Sequence, residues 1–185
     1  MTRLFSHSSR DDVPRPGLAG LGQPVAAVLG DRIDDVAVAE AAARIALARR
    51  APLLLIAVLP PQAKHCSRGP ASAPVRAVLA RVMPRVGPLH LGYIPEAFHL
   101  PGGGGSRLAA AKGLLALAAR HRATDVVAAR RGPHGLGAHT LVEAAALRGG
   151  PTVHAVAPAW APLRPSGPAP RPANTPAVRR GSVPR

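Results

Sequence analysis

Few side chains in this 185-residue chain are spaced to do chemistry. His134 and His139 stand with four residues between them within Gly132–Thr140. A structural zinc site needs about four donors, and no Cys or carboxylate lies near enough in sequence to complete one. His65-Cys66 is a single adjacent pair, which defines neither a metal site nor a redox motif. Cys66 is the only cysteine, so an internal disulfide is excluded and a reducing cytosol fits. Ser106 follows Gly102–Gly105, but a serine nucleophile needs an adjacent base, and no His/Asp partner is identifiable. It reads as a helix cap. With no nucleophile, acid–base pair or metal set, the sequence gives no support to an enzyme, and no catalytic or metal-ligating residue is assigned.

The elements that would position these groups alternate between strand and helix. Val25-Ala-Ala-Val-Leu29 is a short apolar run ending in Gly30-Asp31, the pattern of a buried parallel strand. Asp34 precedes a helix over Val36–Arg50, with Val38, Ala41, Ala42 and Ile45 on one face. Asp34 and Asp35 at its start and Arg49 and Arg50 at its end match the helix dipole. Leu53–Val58 is a second buried strand, stopped by Pro60-Pro61, and Gln62–Ala71 reads as loop. Ser72 and Pro74 open a helix carrying Val75, Val78, Leu79, Val82 and Val86. Leu89–Ile94 alternates, which predicts an edge strand. A helix from Ser106 bears Leu108, Ala111, Leu115 and Ala118. Asp125–Ala129 is a fourth strand, Leu141–Leu147 a short helix, and Thr152–Val156 the last strand. This βαβαβαβαβ order implies an α/β fold: a parallel sheet with helices on both faces, since crossovers are right-handed.

The ends differ from this middle. Residues 1–23 show no period, and 159–185 are dominated by Pro and Arg, so both are expected to be disordered around one domain at 24–158. The net charge of +15 divides into +1 for residues 1–24, +9 for 25–158 and +5 for 159–185. Positive charge favours polyanions, yet 22 of the 24 basic residues are Arg alongside abundant Ala, Pro and Gly. GC-rich codons encode that whole set, so the bias describes codon usage at least as readily as a ligand. The longest apolar run, Ala51 to Pro61, is far short of the roughly 20 residues of a membrane span. No apolar leader region follows Met1, so a cleaved signal is not expected. Together these features point to the cytoplasm.

Three stretches resemble the universal stress protein domain over about residues 24–158. Pro24-Val-Ala-Ala-Val-Leu-Gly-Asp, an Ala-rich helix and Ala51-Pro-Leu-Leu-Leu-Ile-Ala-Val are similar to its opening strand–helix–strand. Ser106–Arg122, followed by Ala123-Thr-Asp-Val-Val-Ala-Ala-Arg-Arg-Gly, resembles its long helix and fourth strand. Gly150-Pro-Thr-Val-His-Ala-Val-Ala-Pro is similar to its terminal strand. The resemblance implies an open, doubly wound sheet in order 3-2-1-4-5 that pairs with a second copy through the last strand. It places a ligand pocket where the strand order reverses, between Leu29–Asp31 and Arg130–Gly137.

Nucleotide-binding members of that family keep an Asp at the end of strand one. They also carry Gly-x2-Gly-x9-Gly-Ser/Thr after strand four, whose N–H groups hold phosphates. The residues the resemblance puts at such a cofactor site are Gly30, Asp31, Val58, Arg131, Gly132, Gly135, Gly137 and Thr140. The pattern is incomplete. Leu29 stands where the Asp is expected, Ala145 follows Gly135 after nine intervening residues, and the nearest substitute is Gly137-Ala138. ATP is therefore a possible ligand whose binding is expected to be weak or lost, and a tight turn explains the glycines equally well. Asp34-Asp35 also resembles the acidic pair of phospho-receiver domains. That comparison fails because Ile94-Pro95-Glu96 stands where strand three should end in Asp, and no Lys ends strand five.

Three functions follow as alternatives. One is a universal-stress-type protein in stress response, acting by dimerisation and partner contact. Another is an ATP- or AMP-binding sensor, with Arg130 and Arg131 compensating for the short loop. The third is a basic accessory protein holding nucleic acid, without sequence preference, through its Arg-rich tail. Deleting residues 159–185 should lower the melting temperature by less than the roughly 2–4 °C that 1 kcal/mol is worth in a chain this long. A calorimetric fall of many degrees would place that segment against the domain.

Overall fold

The computed structural model describes residues 22–61, 69–102, 105–147 and 149–157. The two expected disordered ends fall almost wholly outside these residues, as do 62–68 and Gly103–Gly104. Five strands form one all-parallel sheet in the order β3-β2-β1-β4-β5: β1 (Val25–Leu29), β2 (Leu53–Leu59), β3 (Tyr93–His99), β4 (Asp125–Ala129) and β5 (Thr152–Val156). Helices α1 (Asp35–Arg49) and α2 (Ala73–Val86) cover one face, and α3 (Arg107–Arg120) and α4 (Ala138–Ala146) the other. This is the expected fold class and strand order. Among the described residues no helix is long and apolar enough to cross a membrane.

Every residue of β1, β2 and β4 is buried, which a strand sandwiched between helices requires. Alternate side chains feed two separate cores: Val25, Ala27 and Leu29 with α1 and α2, Ala26 and Val28 with α3 and α4. The α1 face that meets the sheet is Val38, Ala39, Ala42, Ala43 and Ala46. It is rotated slightly from the expected stripe, because the methyl-only residues allow the closest approach and Ile45 is left on the flank. Ser72 stands at the start of α2, yet its hydroxyl makes no capping bond, whereas Ser106 Oγ accepts from the Ala109 N–H at 3.1 Å.

The third strand lies later than its expected position at Leu89–Ile94. Gly87–Leu89 is a single 3₁₀ turn that closes α2, His90 is left-handed at φ 52°, and β3 begins only at Tyr93. The strand includes Pro95, opposite Leu55. A proline survives there because β3 is an edge, where one side of the ladder needs no donor. Ile94-Pro95-Glu96 is thus mid-strand, and β3 ends at His99.

At the amino end of the sheet a buried carboxylate joins three elements. Asp125, 2% exposed, opens β4. Its Oδ1 meets His154 Nε2 of β5 at 2.8 Å, while its Oδ2 accepts from Thr124 Oγ1 at 2.8 Å and from Arg49 Nη1 of α1. Burial alone would raise its pKa. The hydrogen bonds from His154, Thr124 and Arg49 outweigh that and hold the carboxyl below its ordinary range. The folded state therefore favours the ionised form, so this stabilisation is present above the ordinary carboxylate pKa and is lost as pH falls through the depressed one. Asp125→Asn should cost about 1–3 kcal/mol at neutral pH, and the gap to wild type should close as the pH drops below that range. Urea melts between neutral and strongly acid pH test this; a gap that does not vary with pH would refute it.

Candidate functional site

In an open parallel sheet ligands gather beyond the carboxyl ends of the strands, where the order reverses. Here that point lies between β1 and β4. Leu29 ends β1 fully buried in the α1/α2 core. The next residues turn sharply, with Asp31 left-handed at φ 57°, and their N–H groups converge on a carboxylate of the chain itself. Gly30 N–H donates to both Asp35 oxygens at 3.1 Å, and Arg32 N–H donates to Oδ2 at 3.0 Å. An N–H cluster at a helix start is a ready anion site, and Asp35 fills this one from within. Burial pushes the Asp35 carboxyl up; bonds from the Arg32, Gly30 and Asp31 backbone and the charge of Arg81 only partly offset that. Asp31 turns outward, its carboxylate 2.7 Å from Arg81 Nη2 of α2.

The other wall of the crevice is the turn from Arg130 to Gly137. Pro133 is buried and packs face-on against Gly30: a Cβ at Gly30 would lie 2.1 Å from Pro133 Cβ and 2.5 Å from its Cγ. The two chain segments therefore meet at the switch point, and the space left to a ligand lies beside that contact. The loop glycines serve the turn's own geometry. A Cβ at Gly132 would lie 1.9 Å from the Leu136 carbonyl oxygen, and one at Gly137 would lie 2.3 Å from that of Arg130. Gly135 has φ +83°. Leu136 N–H donates to Pro133 O at 2.9 Å, and Thr140 Oγ1 donates to Gly135 O at 3.2 Å, so a donor and a hydroxyl near the crevice are already engaged.

Of the eight residues expected at a cofactor site, Gly30, Asp31 and Val58 come together. With Pro74, Val78 and His134 they line a cavity of about 360 Å³. Gly132, Gly135, Gly137 and Thr140 build the turn beside it, and Arg131 is exposed outside it. His134, left-handed at φ 51°, also borders a second cavity of about 260 Å³ with Pro61, Leu100 and Arg107. Among the described residues no three His, Cys, Asp or Glu side chains group as metal ligands. Sequence reasoning missed Pro133 and Asp35. The signal for Pro133 was its bulk between two glycines; that for Asp35 was its place in the first turn of α1.

No protein-family model matches the chain, and no curated protein matches it. Among solved structures, a protein from the universal stress protein family of Burkholderia pseudomallei superposes with a TM-score of 0.52 at 18% identity, covering 74% of this chain and 96% of that one. A universal stress protein in complex with cAMP superposes with a TM-score of 0.50, also at 18% identity, covering 73% and 96%. At that identity the likeness is one of fold.

The packing of Gly30 on Pro133 makes a coupled pair. Gly30→Ala should destabilise the domain by about 1–3 kcal/mol, the usual cost of overpacking. Pro133→Gly removes the opposing ring, so the double variant should be more stable than the sum of the two single losses predicts. Strict additivity in denaturant melts would show that the two residues do not press on one another.

Proposed function

We propose that this chain is a universal-stress-type protein that works through contact with protein partners and with a second copy of itself, its nucleotide crevice closed. The observation that carries the reading is the Pro133 ring seated on Gly30, where that fold would admit a nucleotide. Asp35 supports it, because its carboxylate already engages the Gly30 and Arg32 N–H groups that line the β1 side of the crevice. Leu29 supports it too, since an apolar side chain cannot accept a bond from a ribose or base. No bond-making step belongs to this reading; the lone Cys66 suits a cytoplasmic setting, and the role in stress response rests on the likeness of fold to universal stress proteins.

A second reading, a sensor of ATP or AMP, draws on the cavity shared by Gly30, Asp31, Val58 and His134 and on the cAMP held by one structure of similar fold. Calorimetric titration with ATP, AMP and cAMP separates the two. The closed-crevice reading expects no binding up to about 1 mM, where the binding free energy is only about 4 kcal/mol. A micromolar constant for any of them would establish the sensor instead.

The partner surface proposed for self-association is the β5 edge. Thr152 N–H bonds to Thr124 O, and Val156 O accepts from Arg130 N–H, so these residues face β4. By the alternation of a strand, the backbone groups of Val153 and Ala155 face outward, unpaired among the described residues. We expect a homodimer at tens of micromolar, roughly where modest interfaces are populated. Val153→Pro or Ala155→Pro should weaken it without touching the β4 ladder, whereas Val156→Pro should also damage the sheet. Sedimentation of a wild-type monomer at that concentration would end the dimer proposal.

A further inference from the structure

We infer that the carboxyl end of the sheet is a docking surface for the phosphate backbone of duplex nucleic acid, bound without regard to sequence. Three connections meet there through measured contacts. Gly30 packs on Pro133, and the Arg107 side chain lies on Gly135, so that a Cβ at Gly135 would be 3.0 Å from Arg107 Cδ and Nε. These contacts bring together Arg32 of the β1–α1 connection, Arg107 at the start of α3, and Arg130 and Arg131 after β4. All four are exposed. None has an ion pair among the described residues.

The nearby acids cannot neutralise them. Asp31 is engaged by Arg81, Asp35 is buried under backbone N–H groups, and Asp34 is buried. The helices add to the excess. In a parallel sheet of this kind all four N-termini point to this end, each with a partial positive charge. Only α1 has an acid in its first turn; α2, α3 and α4 have none, and α3 begins on Arg107 itself. At the amino end the arrangement is ordinary. Arg49, Arg85 and Arg120 sit in the last turns of their helices, opposite the negative poles, and Arg49 also pairs with Asp125.

The chemistry selects the partner. Guanidinium groups match phosphate oxygens in a planar fork, and several on one face suit a polymer of phosphates better than a single ion. The four side chains stand exposed on the outer surface, where a duplex backbone can reach them. No Phe, Tyr or Trp lies in these connections, and His134 is the one ring there that could stack a base, so single strands gain little extra. Among the described residues Ile33 is the one large apolar side chain exposed at this end, less than an anionic membrane needs. The inference is independent of the proposed function, since it needs neither a dimer nor an empty crevice.

Full-length protein tested against two labelled DNA duplexes of unrelated sequence, by fluorescence anisotropy across salt concentration, decides the matter. Both duplexes should bind alike. In Arg32→Gln/Arg107→Gln/Arg131→Gln the loss of three phosphate contacts should flatten the salt dependence, so that between about 50 and 200 mM salt the wild type loses about forty-fold more affinity than the variant. The matched Arg→Lys triple variant should keep the wild-type slope, which separates lost charge from misfolding. Arg44→Gln/Arg50→Gln/Arg120→Gln, remote from this end, should change the slope by less than half as much. Any of four results would overturn the proposal: no duplex binding at low salt, a sequence preference, equal losses in the two Gln triples, or binding to phosphatidylserine vesicles but not DNA. A wild-type slope in the first triple would likewise assign DNA binding to other charges, such as those of residues 159–185.

Discussion

A parallel sheet covered on both faces leaves no room for a polar side chain in its middle, and the rest of this molecule follows from that constraint. Val25 to Leu29 are at most 1% exposed. Each must be apolar, and each must meet a helix on its own side. The helices meet the demand chiefly with alanine and leucine, so backbone comes close to backbone and little volume is left for functional groups. Ionisable chemistry is expelled to the two rims. What the protein can do must therefore be sought in its connections, not in its layers.

The two buried carboxylates show how differently those rims are built. Asp125 meets side-chain donors, among them the cationic Arg49, and its proton is held less tightly than usual. Asp35 meets chiefly neutral backbone N–H groups, which do not make up for lost hydration, and its proton is held more tightly. The first carboxylate ties α1, β4 and β5 together. The second ties a loop to the helix that follows it and takes the place an external anion would occupy. One rim is a junction, and at the other an internal carboxylate fills a turn that is flanked by exposed Arg side chains.

Much of the architecture was legible in the residues. β1, β4 and β5 are short apolar runs bounded by Gly, Pro or Asp, and such boundaries are local. The third strand was not legible in place. An edge strand shares its alternation with ordinary turns, and Pro95 reads as a breaker until it is known to sit on an edge. At the candidate site the glycines could be read as a turn, and Gly30, Asp31 and Val58 do converge. The seating of Pro133 on Gly30 was hidden, because it is a contact between two connections distant in sequence that no periodicity records. The filling of the Gly30 and Arg32 N–H groups by Asp35 was hidden as well, since an acid in a first helical turn usually means dipole compensation and nothing more.

Among the described residues, the cores that pack against this sheet contain no fully buried aromatic ring. Tyr93 is 47% exposed on the edge strand, Phe98 is only partly buried, and the single Trp160 follows β5 beyond the described residues. The described interior consequently gives little near-ultraviolet absorption or fluorescence of its own. A change in tryptophan emission reports on the segment after β5, and a tyrosine signal on one sheet margin. Loss of the fold itself is carried by the peptide backbone, in far-ultraviolet dichroism or in amide exchange.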